Sequence, residues 1–268
     1  MPASFFMTGS AEHTGYPICN MPYSIQIEAL RKHYPGAENV ALQGLSLNFK
    51  KGIIAGLLGP NGAGKTTTIS IICGLVHQDS GTARVLDLDC RHDIVAIKRK
   101  IGVVPQQIAL YPQLSAQENL EYIGRLYRIP SKILKEKIAF MLERFGLDSH
   151  SHKRIHQYSG GMKRRTNIIA GLLHEPEILI LDEPTAGVDV QSRNMILDFL
   201  KHYNEEGKTI IYTSHLLEEA ERICHEVAII DAGKLIAQDT PKHLIAQAEG
   251  CNNLEDVFLY YTGRTVRE

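Results

Sequence analysis

Apolar residues recur along this chain in two rhythms, one of short continuous or alternating runs and one of three- and four-residue steps. The runs Ile25–Leu30, Leu45–Phe49 and Ile53–Leu58 predict strands, as do Thr82–Leu86 and Ile101–Val104 further on. From Ser115 to about Phe145 the texture changes to Leu, Ile and Tyr at helical spacing among charges, broken at Pro130 and Gly146. This predicts a helical insertion whose second helix starts at Pro130–Ser131. After Gly161 a helical pattern runs to His174, and the apolar strand Ile178–Leu181 follows, ending in Asp182–Glu183. Asp189–Tyr203 reads as helix, Thr209–Thr213 as strand and Leu216–Ile223 as helix. Such alternation implies an α/β protein with a mostly parallel sheet and right-handed crossovers.

Near the end, Val227–Ile230 and Lys234–Gln238 flank Asp231-Ala232-Gly233, a composition that suggests an antiparallel hairpin at the sheet's edge. Amphipathic segments near Pro241–Ala248 and Leu254–Tyr261 make a helical tail over 241–268. Residues 1–22 mix Gly, Pro, Ser and Thr without periodicity and read as a loose tail.

Composition changes this picture little. The 268 residues are 44% hydrophobic and 22% charged, ordinary for a soluble globular chain with a sizeable core. A formal net charge of −1 gives no global field to recruit nucleic acid or anionic membrane. The basic clusters Lys98–Lys100 and Lys163–Arg165 read as solvated helix faces. Cys19, Cys73, Cys90, Cys224 and Cys251 include no C-x-x-C pair, which fits reduced thiols in a cytosolic compartment. No uncharged apolar stretch reaches about 18 residues, so a membrane span is not expected, and the start of the chain lacks the features of a signal peptide.

Chemistry concentrates at Gly59–Thr66, GPNGAGKT, which fits G-x-x-x-x-G-K-[ST] between a predicted strand and a predicted helix. Gly59, Gly62 and Gly64 allow the backbone amides to approach phosphate oxygens, and the helix start near Lys65 aims its positive dipole end at the same anion. Pro60, Asn61, Ala63 and the adjacent Thr67 complete this phosphate-binding set. Lys65 is placed to reach the β- and γ-phosphates, and Thr66 offers a hydroxyl to Mg²⁺.

A phosphate loop needs an acidic partner on a second strand, and ILILDEP at Ile178–Pro184 supplies it. Asp182 would hold the Mg²⁺ shell, and Glu183 would polarise an attacking water, which favours a hydrolase over a small-molecule kinase. His150, His152 and His156 form a cluster better read as a solvated loop than as metal ligands, because no cysteine or acid matches their spacing.

Tyr158-Ser159-Gly160-Gly161-Met162, followed by Lys163, Arg164 and Arg165, resembles the LSGGQ signature of ATP-binding cassette proteins. Ser159 at a helix start, with Gly160 and Gly161 exposing amides, makes a second anion site. By the same resemblance, Gln106 looks like the Q-loop glutamine that contacts metal and water, and His215 like the switch histidine. Ala186-Gly187-Val188-Asp189 resembles the D-loop at the dimer interface, and Tyr34 matches the aromatic that stacks on adenine. The resemblance covers about residues 24–240, with Tyr158 and Met162 departing from the usual Leu and Gln. It implies a P-loop NTPase core with an antiparallel β subdomain and an inserted α-helical subdomain at about 107–165, within a nucleotide-binding domain spanning 23–240.

The resemblance further implies that two copies, or a paired cassette, bury ATP head to tail, each signature covering the other chain's phosphate loop. The stretch from Lys65 to Ser159 is too short for the coiled coil of chromosome-associated cassettes. YPQLSAQENLEYIGRLY at Tyr111–Tyr127, YSGGMKRR at Tyr158–Arg165 and NLEDVFLYYTGR at Asn253–Arg264 are similar to export-type cassettes of the daunorubicin-resistance kind. Such a chain would sit at the cytoplasmic face of a membrane on a permease of about six spans per subunit. The alternative is a soluble cassette that uses ATP-driven dimerisation as a regulatory switch.

Overall fold

The computed structural model describes residues 23–263. The tail expected over 1–22 and the last part of the C-terminal tail, 264–268, lie outside the described residues. In chain order the first elements are β1 (Tyr23–Lys32), β2 (Leu42–Lys50), β3 (Ile54–Leu58), α1 (Lys65–Ile72), β4 (Ser80–Val85), β5 (Leu88–Asp89), α2 (Ile94–Lys100) and β6 (Ile101–Val104). The helices α3 (Ala116–Leu126) and α4 (Ser131–Arg144) follow, then short 3₁₀ turns at Asp148–His150 and Ile155–Gln157 and the helix α5 (Gly160–Leu172). The remainder is β7 (Ile178–Asp182), α6 (Val190–Glu205), β8 (Thr209–Thr213), α7 (Leu217–Ile223), β9 (Glu226–Asp231), β10 (Lys234–Asp239), α8 (Pro241–Gln247) and α9 (Leu254–Thr262).

Two sheets organise these elements. One is antiparallel, in the order β2-β1-β4-β5. The other runs β10-β9-β3-β8-β7-β6 and is parallel throughout except at its β9–β10 edge, where the expected hairpin closes it. Every residue of β3 and β8 is buried, as strands covered on both faces require, which is why these strands read as unbroken apolar runs. The two sheets are joined where Gln238 Nε2 donates to Asn48 O at 2.6 Å and Gln43 N donates to Gly233 O at 2.9 Å.

Helix starts follow local side-chain chemistry. Ser115 and Glu118 form a reciprocal capping box at α3, and Ser159 and Asp189 cap α5 and α6 by accepting from Met162 N and Ser192 N. The second helix of the insertion begins at Ser131 behind Pro130, as its sequence implied. Helix α2 and the two-residue β5 carry no readable signal: α2 spans seven residues, with Ile97 buried and Ile94 half-buried on the core, too short a face to show periodicity. The basic cluster Lys98–Lys100 does form the last turn of α2, where cations complement the helix dipole.

Candidate functional site

The phosphate loop joins the buried strand β3 to α1, and its glycines serve different needs. Gly62 and Gly64 take left-handed backbone conformations, with φ of 80° and 107°. Gly59 does not; a side chain there would lie 2.3 Å from Ile230 O and 2.9 Å from Ala63 Cβ, so packing against the adjoining strand excludes anything larger. Lys65 is buried in the loop it serves, and its Nζ donates to the carbonyls of Gly59 at 2.6 Å and Pro60 at 3.0 Å. Burial pulls the pKa of this ammonium down, while the nearby carboxylates of Glu183 and Asp182 oppose the shift.

Sheet register builds the acidic side. Asp182 and Thr213 are paired at the ends of β7 and β8, so a single hydroxyl serves two acids. Thr213 Oγ1 donates to Asp182 Oδ1 at 2.7 Å and accepts from Glu183 N at 3.0 Å. Glu183 then turns out of the strand with φ of 49°, an uncommon conformation for a residue with a side chain, and Ala186 N donates back to its carbonyl at 3.2 Å. The residue is 8% exposed and its carboxylate is doubly held: Gln106 Nε2 donates to Oε2 at 2.7 Å, and Oε1 is paired with His215 Nε2.

These groups converge on one cleft of about 440 Å³. Asn61 to Thr67 form its floor, and Gln106, Glu183 and His215 stand together on its border. Asn39, Val40 and Ala41 supply the remaining wall. Tyr34 does not line this cleft; it is half-buried, with the Lys32 ammonium 5.6 Å from its ring centroid. Asp182 is half-buried at the strand end. A second cleft of about 490 Å³ lies between α3 and α4, lined by groups such as Gln117, Lys135 and Ile138, and has no phosphate loop beside it.

Ser159, Gly160 and Gly161 lie outside the cleft lining and adjoin the Asp189 turn instead. A side chain at Gly161 would come within 2.4 Å of Ser192 Oγ and 2.7 Å of Asp189 Oδ2. Asp189 itself accepts from Ser192 N at 2.9 Å, and this bond leads the causes that hold its carboxyl below the usual range. Tyr158, in the place usual for Leu, is 4% exposed and donates its hydroxyl to His150 O at 2.6 Å.

The expectation of a solvated Lys163–Arg165 face is corrected at its centre. Arg164 is 5% exposed and donates to Pro105 O at 2.9 Å and Gln106 O at 2.5 Å, pinning the segment that carries Gln106. Arg165 donates to Phe145 O at 2.5 Å and so anchors α5 to the end of the α3–α4 insertion. Asn167 assists by accepting from Ala109 N at 3.1 Å. Sequence signalled only a basic run; the carbonyls that bury Arg164 come from a strand end some sixty positions earlier.

Thr66, Gln106 and Asp182 offer a hydroxyl, an amide and a carboxylate, the oxygen donors that suit a hard cation retaining its waters. Among the described residues, no group of three or more His, Cys, Asp or Glu side chains is placed to hold a metal ion. His156 Nδ1 instead bonds the Pro112 carbonyl at 3.1 Å.

Residues 42–186 match the family model described as ABC transporter. The chain is 48% identical over 226 residues to the linearmycin resistance ATP-binding protein LnrL of Bacillus subtilis, covering 84% of this chain and 72% of that one. It is 38% identical over 231 residues to the Nod factor export ATP-binding protein I of Ralstonia nicotianae, covering 86% and 71%. Among solved structures it resembles a dimeric post-hydrolysis state of the ATP-binding cassette MJ0796 bound to ADP and Pi, with a TM-score of 0.74, 26% identity, and 81% and 98% of the two chains covered. A phosphate loop facing an acid, a glutamine and a histidine across one cleft, within such matches, places the chain in the ATP-binding cassette (ABC) transporter family as an ATPase.

Proposed function

We propose that this ATPase energises export through a separate membrane subunit, working as one of two cassettes that close head to tail on ATP. The observation that carries the reading is the convergence of Lys65, Gln106, Glu183 and His215 on one cleft. In it, the loop amides and Lys65 bind the β- and γ-phosphates, and Glu183 takes a proton from the water that attacks the γ-phosphorus. The bond to the β–γ bridging oxygen breaks as that water attacks, ADP leaving with the oxygen and phosphate being released. Gln106 and His215 hold that carboxylate in place, since each already bonds one of its oxygens. Mg²⁺, held by Thr66, Gln106 and Asp182, would neutralise charge on the phosphate oxygens.

Ser159 and the amides of Gly160 and Gly161 cover the γ-phosphate bound by the partner cassette, because they do not line the cleft of their own chain. The MJ0796 cassette, described as a dimer, supports such a pairing. Export follows the relatives' descriptions, one for linearmycin resistance and one for Nod factor export. No helix among the described residues is long and apolar enough to cross a membrane. The membrane subunit would supply the path, and the exposed Tyr111 and Tyr122, whose rings meet at 5.3 Å at the start of the helical insertion, offer it an apolar contact.

Phosphate release and nucleotide affinity of the assembled complex test the assignment. Glu183→Gln should retain ATP binding and release phosphate at least about 100-fold more slowly, the scale of a lost general base. Lys65→Ala should weaken ATP binding itself. Normal phosphate release by Glu183→Gln would sink the general-base role. Co-purification with the product of a neighbouring reading frame holding about six apolar spans separates a transporter subunit from a soluble switch.

A further inference from the structure

We propose that Glu219 is a positioning residue that couples the Asp189 turn, on the side of the partner cassette, to the Glu183–His215 pair. Glu219 lies on α7, just beyond His215, and is 6% exposed. A buried carboxylate is costly unless its oxygens are matched; here two segments hydrogen-bond one oxygen and a third brings a guanidinium to the other. Oε2 accepts from Thr185 Oγ1 at 2.6 Å and from Tyr212 OH at 2.5 Å. Oε1 faces Arg193 Nε at 3.2 Å.

Each partner belongs to a functional segment. Thr185 follows Glu183 in the same turn, and its carbonyl accepts from Val188 N at 3.2 Å, which leads directly to Asp189. Tyr212 precedes Thr213, whose hydroxyl fixes Asp182 and the Glu183 amide. Arg193 sits in the first turn of α6, and its amide donates to Asp189 O at 2.9 Å.

The links differ in stiffness. Thr185 and Tyr212 are 1% and 0% exposed, and burial together with the Glu219 charge keeps the Tyr212 hydroxyl protonated and donating. The Arg193 approach is within ion-pair range, yet neither Arg193 Nε nor Glu219 Oε1 is aligned for a hydrogen bond. The carboxylate is thus rigidly tied to the hydrolytic side and loosely tied to the Asp189 side. Displacement of the Asp189 turn when two cassettes meet shifts Arg193 against Glu219, and α7 transmits that shift to His215 at its base.

This rests on the reading of Glu183 as general base, so the experiment runs Glu183→Gln beside the coupling variants in the full-length cassette. Glu219→Gln and Thr185→Val are assayed for kcat, KM, affinity for a fluorescent ATP analogue and melting temperature. Expected are a kcat lower by about tenfold or more, KM and affinity within about twofold of wild type, and a double variant no slower than the slower single, because residues acting as a unit are not additive. Should Glu219→Gln not fold, Thr185→Val decides alone, since it deletes one hydroxyl at nearly constant volume. Unchanged kcat per folded molecule, or kcat falling only in step with KM and melting temperature, overturns the coupling. If Glu183→Gln also turns over normally, the general-base reading has failed with it; if Glu183→Gln is dead while the other two match wild type, only the coupling has failed.

Discussion

Glu183 stands in a left-handed backbone conformation, a strain of roughly 1–3 kcal/mol that persists only when surroundings over-determine it. Here they do: Thr213 holds its amide, Ala186 its carbonyl, and Gln106 and His215 its two carboxylate oxygens. One of those four supports depends on Arg164, whose paired bonds to successive carbonyls set the Gln106 segment. Lysine keeps the charge and loses the planar fork. Arg164→Lys should therefore lower kcat by about tenfold through Gln106 while leaving ATP affinity near wild type, measured by steady-state phosphate release beside analogue binding. At this scale, residues with fixed motif spacing were legible in sequence: Lys65, Gln106, Glu183 and His215 all border the same cleft. Arg164 was not, because its burial is decided by carbonyls on another segment and its own neighbours are charged. Tyr34 shows the converse, a plausible residue type whose side chain lies off the cleft lining.

Between elements, one contact ties the helical insertion to the sheet. Tyr127, at the C-terminal end of α3, stacks on His174 with ring centroids 3.8 Å apart, and His174 Nε2 donates to Ile101 O at 2.9 Å at the start of β6. Its Nδ1 is buried without a partner, so a second proton would have no acceptor. Burial therefore lowers the His174 pKa from its ordinary 6.5, with Lys137 acting the same way and the Ile101 bond opposing. The unfolded chain then binds the proton more readily than the folded one, so this stabilising contribution is present above about pH 6.5 and is lost as pH falls below it. His174→Phe keeps a ring on Tyr127 and removes the titration. Urea midpoints at pH 7.5 and 5.5 should fall further in wild type than in this variant; equal falls would remove His174 from the acid response. Sequence pattern captured most elements because β3, β7 and β8 bury nearly every side chain and α3 carries its own caps. It missed α2 and β5, which are short and held by neighbours more than by periodicity.

For the whole molecule, the separation of Ser159–Gly161 from the chain's own cleft makes a dimer with divided sites the arrangement to test. Gly160 offers a clean probe. A Cβ there meets nothing nearer than Gly187 O at 3.7 Å, and an acid at a helix start is favourable, so Gly160→Glu should fold, as its melting temperature beside wild type will check. It would nevertheless place a negative charge where the partner's γ-phosphate must dock. Lys65→Ala disables the other half of the site. Each variant alone should be nearly inactive, since every site in either homodimer contains the lesion. In a mixed dimer both lesions fall in one site, and the other joins an intact phosphate loop to an intact signature. With random exchange, half the dimers are mixed and each has one working site, so an equimolar mixture should recover about a quarter of wild-type turnover if the sites act independently. Phosphate release from the premixed chains, compared with each variant alone at the same total concentration, reads this directly. Absence of any recovery, with mixed dimers shown to form by affinity-tag capture, would mean that independent divided sites do not carry the hydrolysis.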